Sequence, residues 1–362
     1  MSRRKWIPTF FGLLVLPLVL AGWASAATPT PASTKAAAAP ASPTLAPVTI
    51  RYGTLGFSSE AGVFIAADRG YFQKQGIKVE LVNFSSGAQM IAPLSTGELH
   101  AGTSAINAGL FNAIARGVDI KIVAGIYHVR DGERTATAVL ARKDLVDGGQ
   151  LKGFGDLKGK KVAIVGKGIH AEIYVARMLE KGGLRFPGDV ELTTLGGPNM
   201  MAAFTNKALD LAFIGEPFIT QWVERGLVVR WKELYEIYPG NQPAVILFSP
   251  DFATKKPDAA NRFMVAYLQG VRDAYDVFNK AKGSKEEVIA SLIKNTSVKD
   301  RALYDKMSVI QYNANGELMV DDFRYQQDWY ADHGYVERKA DMGAVVDRRF
   351  LDQAIKQLGE YR

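Results

Sequence analysis

A unit of strand, polar loop and helix constrains this chain most; it is met first at Arg51–Phe72 and then repeated. Val48, Ile50 and Tyr52 alternate with Thr49 and Arg51 as a half-buried strand requires, and the chain breaks at Gly53 and Gly56 before a polar loop at Ser58 and Ser59. The pattern predicts a helix next. Either serine can accept a hydrogen bond from its first free amides, Glu60 suits the positive end of its dipole, and Val63, Phe64, Ala67 and Tyr71 recur at helical spacing. Gly70 stops it, and Gly76 turns the chain into a second strand, residues 77–82, followed by the polar loop 83–87. Alternation of this kind builds a sheet whose loops at the carboxyl ends of the strands lie side by side, where free helix amides hold small ligands. Those loops are the candidate site.

The pattern continues with a helix over 87–96, which Pro93 should bend or end early, a strand over 99–104, and a helix over 107–116 capped by Asn107 and stopped by Gly117. Residues 120–126 read as a buried strand. A second series begins with a strand at 161–165. An offset of 110 positions aligns it with the first, pairing Gly56 with Gly166, Gly87 with Gly197 and Met90 with Met200. Two similarly built lobes give that pattern, and so does a shared preference for α/β punctuation. In the second series Gly166–Ala171 and Gly196–Asn199 each open a helix, and Pro217 suits a first helical position. Val245–Phe248 reads as a strand returning to the first lobe. From Asp258 onward the chain is helical, with breaks at Gly283, Ser297, Gly316, Gly334 and Gly343, and is read as a cover on that lobe.

The run GFSSEAGVFIAADRGYFQKQGIKVELVNFSSGAQMIAPLSTGELHAGTSAIN, residues 56–107, resembles the first lobe of the substrate-binding proteins of ABC importers, in the nitrate/taurine/alkanesulfonate group that also takes in thiamine-pyrimidine binders. Residues 70–79 match its G-Y-F element, and residues 97–102 its G-E-L element, with His100 where an acid is usual. The likeness extends through DLKGKKVAIVGKGIHAE and Glu216-Pro217-Phe218, over roughly residues 49–358. It implies an α/β periplasmic binding protein type II fold, two lobes joined by two crossing strands with a ligand cleft between them. Lobe 1 is expected to comprise residues 48–142 and 243–362, lobe 2 residues 143–242, with closure about the crossing strands near Leu140 and Val245. The implied function is a solute receptor that captures a small polar or anionic ligand (sulfonate, nitrate, carboxylate or pyrimidine-like) and delivers it to an ABC transporter permease in the inner membrane, working as a monomer.

The ligand-binding candidates follow from the loops. Phe57, Ser58 and Ser59 lie on the first, Phe84, Ser85 and Ser86 on the second, Ser104 and Asn107 on the third. Lys167, Gly168 and His170, then Gly197 and Asn199, then Glu216 occupy the corresponding places in the second series. The serines and asparagines offer neutral donors at helix starts, although any one also suits a cap or turn, and the two phenylalanines can wall in a ligand. The resemblance puts Glu216 at the cleft border. His170 is aimed there by its helix, and His128, beside Tyr127, is a weaker candidate.

Other chemistry finds less support. Gly166–Ala171 fits G-x-G-x-x-A, and Asp189 and Glu191 stand about 20 residues on as in a dinucleotide fingerprint, but tight packing or simple anion binding explains the same glycines. Four scattered histidines make no metal motif, and no G-x-S-x-G elbow or Walker loop occurs. Glu60 and Glu216 can be drawn as a catalytic pair, yet dipole compensation and helix capping account for each. The reading therefore carries no catalytic residue, metal or cofactor. An exported enzyme on the same two-lobed fold is the alternative, and a ligand-sensing partner of a membrane receptor is a third.

Composition narrows the setting. The chain's 362 residues suffice for two lobes, and its formal charge of +7 falls to +4 if Arg3, Arg4 and Lys5 leave with a leader. Without a block of like charge, nucleic acid is not an expected partner. Residues 1–26 have the basic start, apolar run and Ala24-Ser25-Ala26 cleavage site of an export signal to the periplasm, with a twin-arginine-like start, and residues 27–47 read as a flexible Ala/Pro/Thr tether. The absence of cysteine excludes disulfides, thiolate metal sites and a lipid-modified N-terminal cysteine.

Overall fold

The computed structural model describes residues 47–308 and 310–362. The expected leader, and the tether up to Ala46, lie outside the described residues. Ten strands follow in order: β1 (Val48–Thr54), β2 (Ile77–Asn83), β3 (Ala101–Ala105), β4 (Lys121–Tyr127), β5 (Thr137–Arg142), β6 (Lys161–Ile164), β7 (Glu191–Thr194), β8 (Leu211–Gly215), β9 (Val228–Glu233) and β10 (Ala244–Phe248). They form two sheets of five, ordered β2-β1-β3-β10-β4 and β7-β6-β8-β5-β9. The orders are the same once each sheet's antiparallel strand, β10 or β5, is seen as the one lent by the other half of the chain.

The principal helices are α1 (Ala61–Asp68), α2 (Gly87–Ser95), α3 (Ala108–Ala115), α4 (His170–Lys181), α5 (Gly197–Thr205), α6 (Phe218–Glu224), α7 (Pro257–Asn279), α8 (Lys285–Asn295), α9 (Val320–Asp332) and α10 (Arg349–Leu358). The offset of 110 residues holds at both ends for β3 against β8 and for α2 against α5. Glycine punctuation was therefore reporting a duplicated architecture. Pro93 does not end α2, which runs two residues past it. Pro217 caps α6 from outside instead of opening it, and Gly343 lies within a short helix, Met342–Val345, instead of breaking one.

Strand pairing fixes how the sheets face. Tyr127 ends β4 opposite Ala244, the first residue of β10, which is also opposite Ala105 at the end of β3. In the second sheet Thr137 opens β5 opposite Gly215 at the end of β8, and Ala138 lies opposite Glu233 at the end of β9. Both crossovers, 128–136 and 234–243, thus run from the carboxyl edge of one sheet to that of the other. They are stitched together by Val129 N donating to Asn241 O and Gly240 N to Val129 O, each 2.8 Å. The chain therefore has two lobes whose loop-bearing edges are turned toward one another.

Two expectations about this arrangement change. Thr137–Arg142, read as the end of the first lobe, is a central strand of the second sheet, and Leu140 and Val245 sit within sheets, not at the crossings. Nor is the C-terminal region a cover on one lobe alone. α7 does cover lobe 1: Gly62 of α1 and Gly270 of α7 meet so closely that a Cβ on Gly270 would stand 2.1 Å from the Gly62 carbonyl oxygen. α9, however, packs on both α3 and α4, so it bridges the lobes. Phe111 meets Tyr330 at 6.2 Å on one side, and the Arg177 guanidinium lies 4.5 Å from the Tyr325 ring on the other.

Candidate functional site

The candidate residues lie on loops and helix starts at the carboxyl edges of the two sheets. On lobe 1, Glu60 reaches back to the loop that leads into α1, whose own start carries no side-chain cap. Its carboxylate accepts from Leu55 N at 3.0 Å and Phe57 N at 2.9 Å, which folds the loop over it. Burial pushes the pKa of Glu60 up, opposed by these amides and by Thr103 and Thr54. Phe57 is left 57% exposed at the rim. Ser58 and Ser59 are half-buried, and the Ser58 carbonyl accepts from Tyr312 Oη at 2.7 Å.

Phe84 is half-buried, while Ser85 and Ser86 are exposed at the start of α2, where Ser86 occupies the cap position without a side-chain bond. Ser104 is buried and donates to the carbonyl of Ala105 at 3.0 Å. Asn107 caps α3 as expected, accepting from Leu110 N at 2.9 Å.

On lobe 2, Lys167 is exposed and forms no ion pair among the described residues. Gly168 is buried with φ +66°, a conformation that favours glycine. Its N–H donates to Glu172 Oε2 at 2.6 Å, and its carbonyl accepts from Ala108 N, at the start of α3, at 3.0 Å. Glu172 also accepts from Tyr335 Oη at 2.9 Å, so the C-terminal segment braces this loop. Gly197 is buried and Asn199 exposed at the start of α5.

His170 opens α4. Its ring packs against Phe213 at 5.7 Å and Tyr174 at 6.4 Å, and its Nδ1 is enclosed with no hydrogen-bond partner. Burial holds its pKa down at about 4, so the imidazole is neutral near pH 7. His128 also has an enclosed, unpartnered Nδ1 and a pKa lowered to about 4, by burial first and by Arg130 second.

Glu216 is tied down instead of lining an open cleft. Its carboxylate accepts from Thr220 N at 3.0 Å and from Ser308 N, in lobe 1, at 3.1 Å, with Arg230 Nη1 3.8 Å away. Arg230 is itself held by Glu233 and donates to Ser308 Oγ at 3.0 Å. A second tie between the lobes, Lys306 to Glu224 at 2.6 Å, lies near it. Glu60 and Glu216 are thus both engaged by backbone amides, which argues against a free catalytic pair.

The dinucleotide reading also loses its geometry. Glu191 opens β7 and Asp189 precedes it, so both stand at the amino edge, across the sheet from the glycine loop, while the Gly168 amide is already held by a carboxylate. His100 is likewise on the far side. It precedes β3, accepts from Arg51 N at 3.2 Å and lies beside Lys256. Sequence reasoning missed Glu172, Tyr335, Ser308 and Arg230, because their partners come from distant parts of the chain and no local spacing marks them.

Two lobes with matching sheet orders, joined by two crossovers and turning helix N-termini toward each other, define the type II class of two-lobed binding proteins. The particular family is NMT1/THI5 like: it matches residues 58–280, and the chain belongs to it. Among its relatives is a putative aliphatic sulfonates-binding protein of Bacillus subtilis, 25% identical over 82% of this chain and 85% of that one. The nitrate/nitrite binding protein NrtA of Synechococcus elongatus is 24% identical over 75% of this chain and 66% of its own. The crystal structure of the periplasmic aliphatic sulphonate binding protein SsuA from Escherichia coli superposes with a TM-score of 0.68 over 85% of this chain and all of that one, at 21% identity. The same fold is found in the desulfurization enzyme DSZB, with a TM-score of 0.60 at 12% identity.

Proposed function

We propose that this chain is the solute-binding receptor of an ABC importer, exported to the periplasm, which captures one small polar or anionic molecule between its lobes and presents it to a membrane permease. The observation that carries this reading is the pairing of both sheets' carboxyl edges across two crossovers, so that donors from α1–α3 and α4–α6 converge from opposite sides. Helix N-termini attract anionic groups, and exposed Lys167 adds a positive charge at the lobe 2 rim. The family, and relatives named for sulfonates and nitrate, support the same class of ligand. Ser85, Ser86, Asn199 and Lys167 are the side chains we assign to first contact, because each is exposed at a helix start or a facing loop.

Closure follows from ligand contacts in both lobes, since a ligand held equally in open and closed forms shifts nothing. Native mass spectrometry of the purified protein should find one retained small molecule per chain, and X-ray scattering should show compaction on saturation. Binding by neither measure, across sulfonates, nitrate, carboxylates and pyrimidines, would overturn the proposal. Turnover of a bound compound would instead establish the enzyme alternative.

A further inference from the structure

A cavity of about 510 Å³ opens beside Ser308, and none of the loop residues assigned to first contact lines it. Its walls come from three parts of the chain: Arg130 and Arg134 from the first crossover, Tyr275 and Phe278 from the end of α7, and Lys306 and Met307 from the segment just before Ser308. The volume falls within the roughly 300–1,000 Å³ of small-molecule sites. Hydrogen bonds hold these walls together. Arg130 Nη2 donates to the Tyr312 carbonyl at 3.0 Å, with its guanidinium 5.8 Å from the Tyr275 ring. Gln311 Nε2 donates to the Arg134 carbonyl at 3.2 Å, and Gln311 Oε1 accepts from Asn279 Nδ2 of α7 at 2.8 Å.

The lining is cationic. Arg130, Arg134 and Lys306 face into it against a single carboxylate, Glu133, which stands 3.5 Å from Arg130. The other two cations are engaged from lobe 2, Lys306 Nζ by Glu224 at 2.6 Å and Arg134 Nε by Glu233 at 3.3 Å. Neither pairing is strong. Lys306, Glu224 and Arg134 are exposed, and pairs between exposed charges are individually weak. Glu233 already holds Arg230 through two bonds, at 2.6 and 2.8 Å, so it keeps a cation when Arg134 leaves.

A molecule bearing several carboxylates matches this lining better than an inorganic oxyanion does. Each guanidinium presents a planar fork to a carboxylate, while Tyr275, Phe278 and Met307 give a carbon skeleton an apolar wall. Such a ligand competes with lobe 2 for the same cations. In taking Lys306 and Arg134 it withdraws them from Glu224 and Glu233, and so loosens the rim that Ser308 N and Glu216 also close.

We propose that this cavity is a second binding site, for a small aliphatic polycarboxylate, and that its occupation favours parting of the lobes on the Glu216 side. The consequence for solute capture rests on the receptor function above: a polycarboxylate that favours the open form weakens a solute held in the closed one, and the solute weakens the polycarboxylate by the same factor.

Calorimetric titration of the whole exported chain with citrate, phosphate and acetate at low ionic strength tests the site. Citrate should bind at least about tenfold more tightly than phosphate or acetate, and added sodium chloride should weaken it. The double variant Arg134→Gln/Lys306→Gln should weaken citrate at least about tenfold, whereas Lys167→Gln, at the cleft rim, should leave it within about threefold. Glu224→Gln removes a competitor at an exposed position and should tighten citrate by about threefold, which keeps the site testable if the double variant folds poorly. Amide exchange should quicken at Ser308 when citrate binds, and stay unchanged at Val129. No citrate binding, or a loss confined to Lys167→Gln, would overturn the site and leave the receptor reading to the retained-molecule measurement. Citrate binding unchanged or weakened in Glu224→Gln would overturn the competition with lobe 2. Slower or unchanged exchange at Ser308 would overturn the effect on the lobes.

Discussion

The backbone amide of Ala108 donates to the carbonyl of Gly168 at 3.0 Å, so the first residue of α3 in one lobe is bonded to the loop after β6 in the other. One rim of the cleft is therefore sealed by main chain alone, and a short bridge between Asn107 and Ile169 continues the seal. Gly168→Ala puts a Cβ into a left-handed conformation, with Ala108 Cβ at 3.4 Å and Tyr335 at 3.6 Å. Strain dominates over clash, so the expected loss is about 1–2 kcal/mol of stability, read as a lower denaturant midpoint.

The brace behind that loop is tested by Tyr335→Phe. Removing the hydroxyl leaves buried Glu172 Oε1 without its donor, and the expected cost is about 1–3 kcal/mol. Glu172→Gln should recover part of it in the double variant, because a neutral amide is less costly to leave unpaired than a carboxylate. Equilibrium unfolding of the two single variants and the double variant measures the coupling directly.

At the opposite rim Glu216→Gln keeps the shape but weakens the bonds from Ser308 N and Thr220 N and loses the charge facing Arg230. A structural tie predicts destabilisation of about 1–2 kcal/mol together with faster ligand release. Stopped-flow dissociation checks the second part. An unchanged off-rate would show that this tie does not hold the lobes closed.

The histidines predict a pH dependence. His128 and His170 have folded-state pKa values near 4, below the unfolded value of about 6.5, so unfolding takes up protons between those limits. Their contribution is fully present above pH 6.5 and is lost as pH falls toward 4. Buried Glu60 and Asp322, whose pKa values burial raises, act in the opposite sense. The histidine part is therefore isolated by comparing denaturant midpoints of wild type and the His128→Phe/His170→Phe double variant across pH 7 to 4, where wild type should fall more steeply.

Asp322 gathers the second crossover. It accepts from Tyr238 Oη, from Asn241 Nδ2 at 3.2 Å, from Gln242 N at 2.7 Å and from Gln326 Nε2 at 2.7 Å. Asp322→Ala strands buried donors and should cost about 2–4 kcal/mol, with amide exchange of residues 238–242 accelerated more than that of residues 121–127 in β4.

Much of the frame was legible because backbone requirements leave local marks. Gly87 and Gly197 open equivalent helices, and Asn107 caps the helix it was expected to cap. What stayed hidden was pairing at a distance. The apolar run over residues 138–141 does not say which sheet receives it, so the lobe boundary expected after residue 142 leaves β5 with the first lobe although it pairs in the second sheet. The amphipathic pattern of α9 does not name its neighbours. At the site, intrinsic preference favours Ser58 and Ser59 as caps, whereas α1 starts without a side-chain cap and Glu60 holds the loop before it, and the hold of Ser308 on Glu216 spans 92 residues. The candidates lie on loops at the facing edges, and what each of them touches is set by partners distant in the chain.

The placement of α9 against both α3 and α4 has a mechanical meaning. Trp329 lies 5.6 Å from Phe186, and Tyr335 reaches Glu172, so aromatic and polar contacts fasten this C-terminal stretch to the far lobe. Swinging the halves apart must either peel that fastening away or turn about it like a door on its jamb. In the second case the mouth gapes only on the Glu216 side, and solute enters and leaves by a single flank.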